Sequence, residues 1–336
     1  MRAAMIHGPG DLRVDEVPEP LAGPGDVLLR VGACGICGSD IGYVAMGGMP
    51  TRNIHPMPIG HEFASTIEWV GADVKGLRPG MRVVVDPMNA DNLGNGGPGG
   101  GFAPRVLLRN ARLGHNLHEV PADMPFERAA LVEPLAVALH AVNTADPRPD
   151  DKVVVYGAGC IGLGAIVALR ARGVREIAAI DLSEERLARA RALGANTLIN
   201  PANSDVAEAL GSAHGRGDLY GIPVVGSSVF IEAAGVGAVI EEIVRIAPHS
   251  ARVVVVSLHK KPAPIDLSFL LMKELSIRGS IGYPREFPAV IGMLSDPALD
   301  VSPIVSHRFD FSDFHEAWRT ACDASRSAKV MVTFDG

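Results

Sequence analysis

The chain has 336 residues, 47% of them hydrophobic and 21% charged, with a formal net charge of −7. That composition suits a folded chain of about two domains and excludes a disordered one. No Lys/Arg excess or basic run marks a phosphate-binding surface, so no nucleic-acid partner is expected. Four cysteines (Cys34, Cys37, Cys160 and Cys322) are too few for a disulfide scaffold at this length and fit a reducing compartment. The first eight residues lack a signal peptide's apolar stretch. The longest uncharged run, residues 153–169, is short and glycine-interrupted for a membrane span. A cytoplasmic enzyme with no membrane segment is the expectation.

Residues 1 to about 110 alternate short β-rich runs with turns. Residues 27–31 and 82–85 are predicted strands, each preceded by a turn at Gly23-Pro24-Gly25-Asp26 and Arg78-Pro79-Gly80. Two clusters rich in metal-ligating residues lie here: Cys34-Gly35-Ile36-Cys37-Gly38-Ser39-Asp40 and Gly60-His61-Glu62. Residues 92–101, with seven glycines and prolines, read as a flexible loop. The texture changes near Glu133, in Glu133-Pro134-Leu135-Ala136-Val137-Ala138-Leu139-His140. From there to about Tyr283, strands at 152–156, 176–180 and 251–256 alternate with helical segments. Continuous Val/Ile runs signal strands buried on both faces, hence a parallel sheet covered by helices. After a return to mixed texture, residues 311–326 look helical.

The strand at 153–156 runs into Gly157-Ala158-Gly159-Cys160-Ile161-Gly162, and an apolar helix follows. Alone, a G-x-G-x-x-G pattern is weak; between a strand and a helix it reads as a dinucleotide-binding turn. Gly157 makes the tight turn, Gly159 lets a pyrophosphate approach the backbone, and Gly162 lets helix and strand pack closely. The helix-start N–H groups then face the phosphate charge. Asp181 ends the next strand about 20 residues on, where a carboxylate accepts from both adenosine ribose hydroxyls and repels the 2′-phosphate of NADP. NAD is therefore the expected cofactor, with Arg186 flanking the adenine ribose.

Thiolate, imidazole and carboxylate are all good zinc ligands. Spacing alone leaves a metal site and ordinary packing equally open. One C-x-x-C pair without a second excludes a structural zinc held by four cysteines.

The two clusters and the glycine turn resemble the zinc-dependent medium-chain dehydrogenase/reductase superfamily. The resemblance runs end to end through Gly101-Phe102-Ala103, Gly279-Ser280-Ile281-Gly282-Tyr283 and Ser327-Ala328-Lys329-Val330. Glu133-Pro134-Leu135-Ala136 resembles its sorbitol and 2,3-butanediol dehydrogenase branch. The resemblance implies a β-rich GroES-like catalytic domain at residues 1–134. It implies an α/β Rossmann domain, a doubly wound parallel sheet, at 135–283, and a return to the catalytic domain at 284–336. It implies zinc on Cys37, His61 and Glu133, the last directly or through water, with Glu62 an inner carboxylate that can approach the metal. Ser39 would bond the substrate oxygen and take its proton, Asp40 would orient His61, and Tyr43 would contact substrate. Val256-Ser257-Leu258 and Ile281-Gly282-Tyr283 would line the nicotinamide pocket. The implied reaction passes a hydride between a secondary alcohol or vicinal diol and NAD. It needs one catalytic zinc and no structural one, in a homodimer or homotetramer acting on a small-molecule alcohol or ketone.

Three positions depart from the family. Gly42 stands where most members have a histidine that relays protons to solvent. Residues 89–101 replace the four-cysteine lobe without a cysteine. Gly282 stands where sorbitol dehydrogenases have an arginine, which favours a substrate with few hydroxyls. Polyol or amino-alcohol dehydrogenation, a zinc-free quinone or enoyl reductase and a non-enzymatic nucleotide-binding relative are the alternatives. Cys34, Cys160 and His140 are expected to pack rather than ligate, and His55, in Asn53-Ile54-His55-Pro56, to be solvated. Met46, Met49, Met57 and Met88 suit either an adaptable pocket or the core.

Overall fold

The valine-rich runs of the middle of the chain form one six-stranded parallel sheet in a computed structural model, which describes residues 1–49 and 55–334. The spatial order is Thr197–Ile199, Glu176–Ile180, Lys152–Tyr156, Val229–Glu232, Arg252–Val255 and Ser276–Gly279. The chain starts at the central Lys152–Tyr156, works outward to one side, then returns to build the other. This is the doubly wound arrangement, with its order reversal between Lys152–Tyr156 and Val229–Glu232. All four residues of Val229–Glu232 are buried. Apolar side chains on both faces are what helices above and below require. Those helices include Cys160–Ala171, Glu184–Ala192 and Gly237–Ile246. The sequence did not announce a hairpin, Arg216–Leu219 with Ile222–Val225. Its turn places Tyr220 and Gly221 at φ 55° and 81°, and Asp218 accepts the Gly221 N–H at 2.8 Å.

The N-terminal part forms a second, mainly antiparallel sheet: Val305–Asp310, Lys329–Thr333, Val27–Ile36, Glu62–Val70, Arg82–Val85 and Leu117–Glu119, with Arg105–Leu108 also paired to Val27–Ile36. The C-terminal segment adds to this sheet. Lys329–Thr333 pairs antiparallel with Val27–Ile36, Val330 opposite Ile36. Helix Val132–Ala145 packs against Cys160–Ala171 and Phe287–Leu294. A domain limit at 134/135 therefore falls inside a helix rather than in a linker.

Residues 92–101 are not the flexible surface loop their composition suggested. Most are buried, and the glycines permit close backbone approach. A Cβ on Gly94 would lie 1.8 Å from the Gly60 carbonyl oxygen, and one on Gly100 would lie 2.2 Å from that of Ile59. The segment is thus wedged beside Gly60 and His61. Of the loop predicted around His55, Asn53 and Ile54 lie outside the described residues. No helix among the described residues is long and apolar enough to cross a membrane.

Candidate active site and metal centre

Cys37 follows strand Val27–Ile36 directly and is the N-cap of helix Gly38–Met46. Asp40, in that helix's first turn, is fully buried. Its Oδ2 accepts the Cys37 N–H at 2.9 Å, and its Oδ1 lies 3.4 Å from His61 Nδ1. One carboxylate thus sets both a thiol and an imidazole, and Nδ1 facing Asp40 leaves His61 Nε2 for a ligand. Strand Glu62–Val70 pairs with Val27–Ile36 so that Glu62 stands opposite Gly35. Position 35 has no room for a side chain, since a Cβ there would be 2.3 Å from Glu62 Oε2. The outcome is a compact set in which ligand atoms of Cys37, His61 and Glu62 lie within 4.8 Å of one another, the single such group among the described residues. Ser39 Oγ is 3.5 Å from His61 Nε2.

The donor set suits zinc in chemistry as well as in geometry. Burial works against a charge on His61, yet Asp40 and Cys37 outweigh it and lift the imidazole well above its ordinary pKa. His61 Nδ1 and Asp40 Oδ1 are both buried without a well-formed hydrogen bond. A pocket that draws in positive charge, with thiolate, imidazole and carboxylate converging, could hold one divalent zinc.

Lys329 stands behind Glu62, and the sequence reading gave it no role. Glu62 is 1% and Lys329 2% exposed. Lys329 Nζ donates to the Ile36 carbonyl at 2.9 Å, to Glu62 Oε1 at 2.7 Å and also to Glu62 Oε2. Burial would strip its proton, but Cys160, Glu62 and Cys37 raise its pKa above the ordinary lysine range. The pair is 267 residues apart in sequence, so only strand pairing brings it together. The one available signal was a lysine heading the otherwise apolar run Lys329–Thr333.

Glu133 opens helix Val132–Ala145 and is buried beside this set, though outside the compact group. Its carboxyl is pushed up to about 7, first by burial and then by Glu62, against the opposing pull of His61, Tyr283 and Lys329. The Tyr283 hydroxyl is close enough to Glu133 to pull that carboxyl's pKa down, and its ring packs on Phe287, ring centroids 4.9 Å apart. Tyr283 is therefore buried behind Glu133, while Ile281 is exposed and Gly282 intermediate.

The predicted cofactor residues all gather at the C-terminal ends of the parallel strands. Gly157 turns at φ 88°, and Gly162 packs on it so tightly that a Cβ would lie 1.8 Å from the Gly157 oxygen. Helix Cys160–Ala171 starts there, with Ile161 in its first turn. Asp181 follows Glu176–Ile180 and accepts the N–H groups of Ala158 at 2.7 Å and Ser183 at 2.9 Å. Arg186 reaches within 3.8 Å of Asp181 and donates to the Ser327 carbonyl at 2.7 Å, tying the two domains together. Val256, Ser257 and Leu258 follow Arg252–Val255. Ser257 is not free: it donates to Glu232, a buried carboxylate that also accepts from Ala234 and Gly235 and meets His259 Nε2 at 2.9 Å. Sequence reading missed Glu232 and His259, whose signal was a lone acid at the end of an apolar strand.

The glycine turn and the ligand set are neighbours. The Cys160 thiol is pushed up to about 12 by burial, and it also feels Lys329, Glu62, Cys37 and Glu133. The residues expected to pack do so: Cys34 is buried, and His140 Nδ1 lies 2.9 Å from Glu286 Oε1. His55 is exposed. Tyr43 donates to Asn95 Oδ1 at 2.5 Å, a partner supplied by the segment at 92–101.

A glycine turn of the dinucleotide-binding type beside a donor set that could hold a metal is the arrangement expected of the alcohol dehydrogenase class of oxidoreductases. Residues 23–121 match the model of the alcohol dehydrogenase GroES-like domain, and residues 160–296 that of the zinc-binding dehydrogenase family. The chain is 33% identical to (R,R)-butanediol dehydrogenase of Bacillus subtilis (strain 168), covering 99% of each. It is 32% identical to sorbitol dehydrogenase of Bos taurus, covering 98% of this chain and 95% of that one. The crystal structure of the alcohol dehydrogenase RspB from E. coli CFT073, complexed with NADH, superposes with a TM-score of 0.85 at 28% identity, covering 99% of each chain. The chain belongs to the zinc-dependent medium-chain dehydrogenase/reductase superfamily, in the branch of the sorbitol and butanediol dehydrogenases.

Proposed function

We propose that the protein interconverts a secondary alcohol or vicinal diol and the matching ketone, with NAD and one zinc per chain. The observation that carries this is the converging Cys37–His61–Glu62 set beside the glycine turn at the ends of the parallel strands. Zinc supplies a Lewis acid and NAD a hydride acceptor, which together make alcohol oxidation accessible at neutral pH.

Cys37, His61 and Glu62 would hold the metal, with Glu133 alongside, directly or through water. Asp40 keeps His61 and Cys37 in register, so the ligand geometry is set before substrate arrives. Ser39 Oγ, beside His61, takes the proton from the substrate hydroxyl. Gly42 leaves the usual relay position empty of donors, and the proton leaves Ser39 by another path. Gly157, Gly159, Ile161 and Gly162 seat the pyrophosphate. Asp181 and Arg186 take the adenosine ribose, and residues 256–258 and 281–282 flank the nicotinamide, with Tyr283 positioning Glu133. NAD preference is supported by Asp181 and by the NADH complex of the RspB structure.

Assembly as a homodimer or homotetramer is supported by the edge strand Ser276–Gly279, which has exposed residues along it and exposed Ile281 and Leu258 nearby. The deciding test compares sorbitol and xylitol with 2,3-butanediol and a 2-alkanol at equal NAD and zinc. The alkanol or the diol should show the higher kcat/KM. A higher value for either sugar alcohol, or no NAD reduction with any of the four, overturns the reading.

A further inference from the structure

We infer that His259 is a positioning residue for the nicotinamide half of the cofactor. With Ser257 it fastens the loop after strand Arg252–Val255 to the buried carboxylate of Glu232, so that this loop is set before the cofactor arrives. The inference rests on the reading of the strand ends as a NAD site and deepens it.

Glu232 is the last residue of Val229–Glu232 and is 0% exposed. In the sheet it stands between Tyr156, which precedes Gly157, and Val255, which precedes Val256. It therefore occupies the point where the strand order reverses, with the glycine turn on one side and the proposed nicotinamide loop on the other. Main-chain bonds carry the contact past the strands. The Ala233 N–H donates to the Tyr156 carbonyl at 2.8 Å, and the Val256 N–H to the Glu232 carbonyl at 3.0 Å.

The two carboxylate oxygens are divided between two loops. Oε1 accepts the Ala234 N–H at 2.9 Å and the Gly235 N–H at 2.7 Å, closing its own turn. Oε2 takes the Ser257 hydroxyl and His259 Nε2, the latter at 2.9 Å. Facing a carboxylate, Nε2 is the nitrogen that carries the hydrogen. Strand Arg252–Val255 does not need this tie, since it is paired with a strand on each side. The stretch 256–266 does, because it has no helix or strand before Leu267–Met272. Its first residues are fastened twice, at 257 and at 259. The Leu258 carbonyl oxygen also lies 3.0 Å from where a Cβ on Gly235 would stand, so the two loops touch. Hydrogen bonds to a buried charge are among the strong ones. Val256 and Leu258 are therefore presented from a loop with little freedom left to lose on binding. The His259 side chain is itself 18% exposed, so it can be replaced without opening the core.

The test titrates the zinc-loaded enzyme with NADH, read by nicotinamide fluorescence, and with ADP-ribose, read by calorimetry. ADP-ribose has the pyrophosphate and both riboses but no nicotinamide. In His259→Leu the NADH Kd should rise about fivefold or more, because apparent affinity falls with the fraction of molecules in the binding conformation. The ADP-ribose Kd should stay within about twofold, and the KM for NAD should rise with the NADH Kd. His259→Gln, whose amide can still donate to Glu232, should recover much of the NADH affinity. Ser257→Ala should move the NADH Kd in the same direction as His259→Leu and serves if that variant does not fold. Equal losses for NADH and ADP-ribose, no recovery in His259→Gln, or an unchanged NADH Kd in folded variants overturns the inference while leaving alcohol oxidation standing. A wild type that binds neither NADH nor ADP-ribose overturns the reading of the NAD site instead.

Discussion

Replacing Lys329 with methionine should expose how the ligand set is held. The substitution keeps length and apolar bulk, so it leaves little cavity. It removes the one ammonium that contacts both Glu62 oxygens and leaves that carboxylate buried in the metal-free protein. Removing one partner of a buried ion pair costs about 3–5 kcal/mol, because the remaining charge is uncompensated. Domain stability is only about 5–15 kcal/mol, so the effect should be large. The metal-free protein is unfolded in urea and followed by tryptophan fluorescence. Both tryptophans report on the catalytic domain: Trp69 lies on Glu62–Val70 and Trp318 on helix Phe314–Cys322. With a urea slope of roughly 1–3 kcal/mol per molar, the midpoint should drop by about 1 M or more at unchanged slope. Lys329→Met combined with Glu62→Gln should recover at least half of the loss, since an amide needs hydrogen bonds but no counterion. Zinc should restore part of the single variant's stability by facing Glu62 with a cation again. A midpoint shift under about 0.3 M, or a double variant as unstable as the single one, would refute the reasoning.

Elemental analysis after metal-replete expression should give about one zinc per chain, because one compact ligand set is present among the described residues and residues 89–101 carry no cysteine; two per chain, or none, contradicts this. Asp181→Gly should weaken NAD use and relax the exclusion of NADP, read as the ratio of kcat/KM for the two cofactors; a wild type preferring NADP tenfold contradicts the role of Asp181. Iodoacetamide at pH 8 should label exposed Cys322 in the native protein and spare Cys160, whose thiol is pushed up to about 12 by burial and so holds its proton far above the reaction pH. Peptide mass spectrometry reads this, and full native labelling of Cys160 would contradict a raised thiol pKa there.

Much of the architecture was legible because it is written in local signals. Runs such as Lys152-Val153-Val154-Val155-Tyr156 specify a strand buried on both faces, and the Gly157–Gly162 pattern specifies a turn that admits phosphate. Both depend on a few adjacent residues. The hairpin at Tyr220-Gly221 went unread because its flanking strands lack a strong hydrophobic alternation. Residues 92–101 were misread as mobile because glycine content serves flexibility and close packing equally. A Cβ position 1.8 Å from the Gly60 oxygen is a fact of tertiary contact.

The sequence by itself determined the parallel sheet and the glycine turn followed by Asp181, because strand propensity and glycine's backbone freedom act locally. Its residues left a metal site and ordinary packing equally open at Cys37, His61, Glu62 and Glu133, which were singled out only by their resemblance to the family's motifs. The tertiary structure alone decided which groups meet. The register of Glu62–Val70 against Val27–Ile36 put Glu62, rather than Glu133, in the compact set with Cys37 and His61. The return of Lys329–Thr333 to the same sheet brought a buried cation to Glu62 across 267 residues. The packing of the 92–101 segment gave Tyr43 its partner Asn95. Pairings of this kind depend on strand register and chain crossing, which are set by the whole fold and leave no trace in the spacing of neighbouring residues.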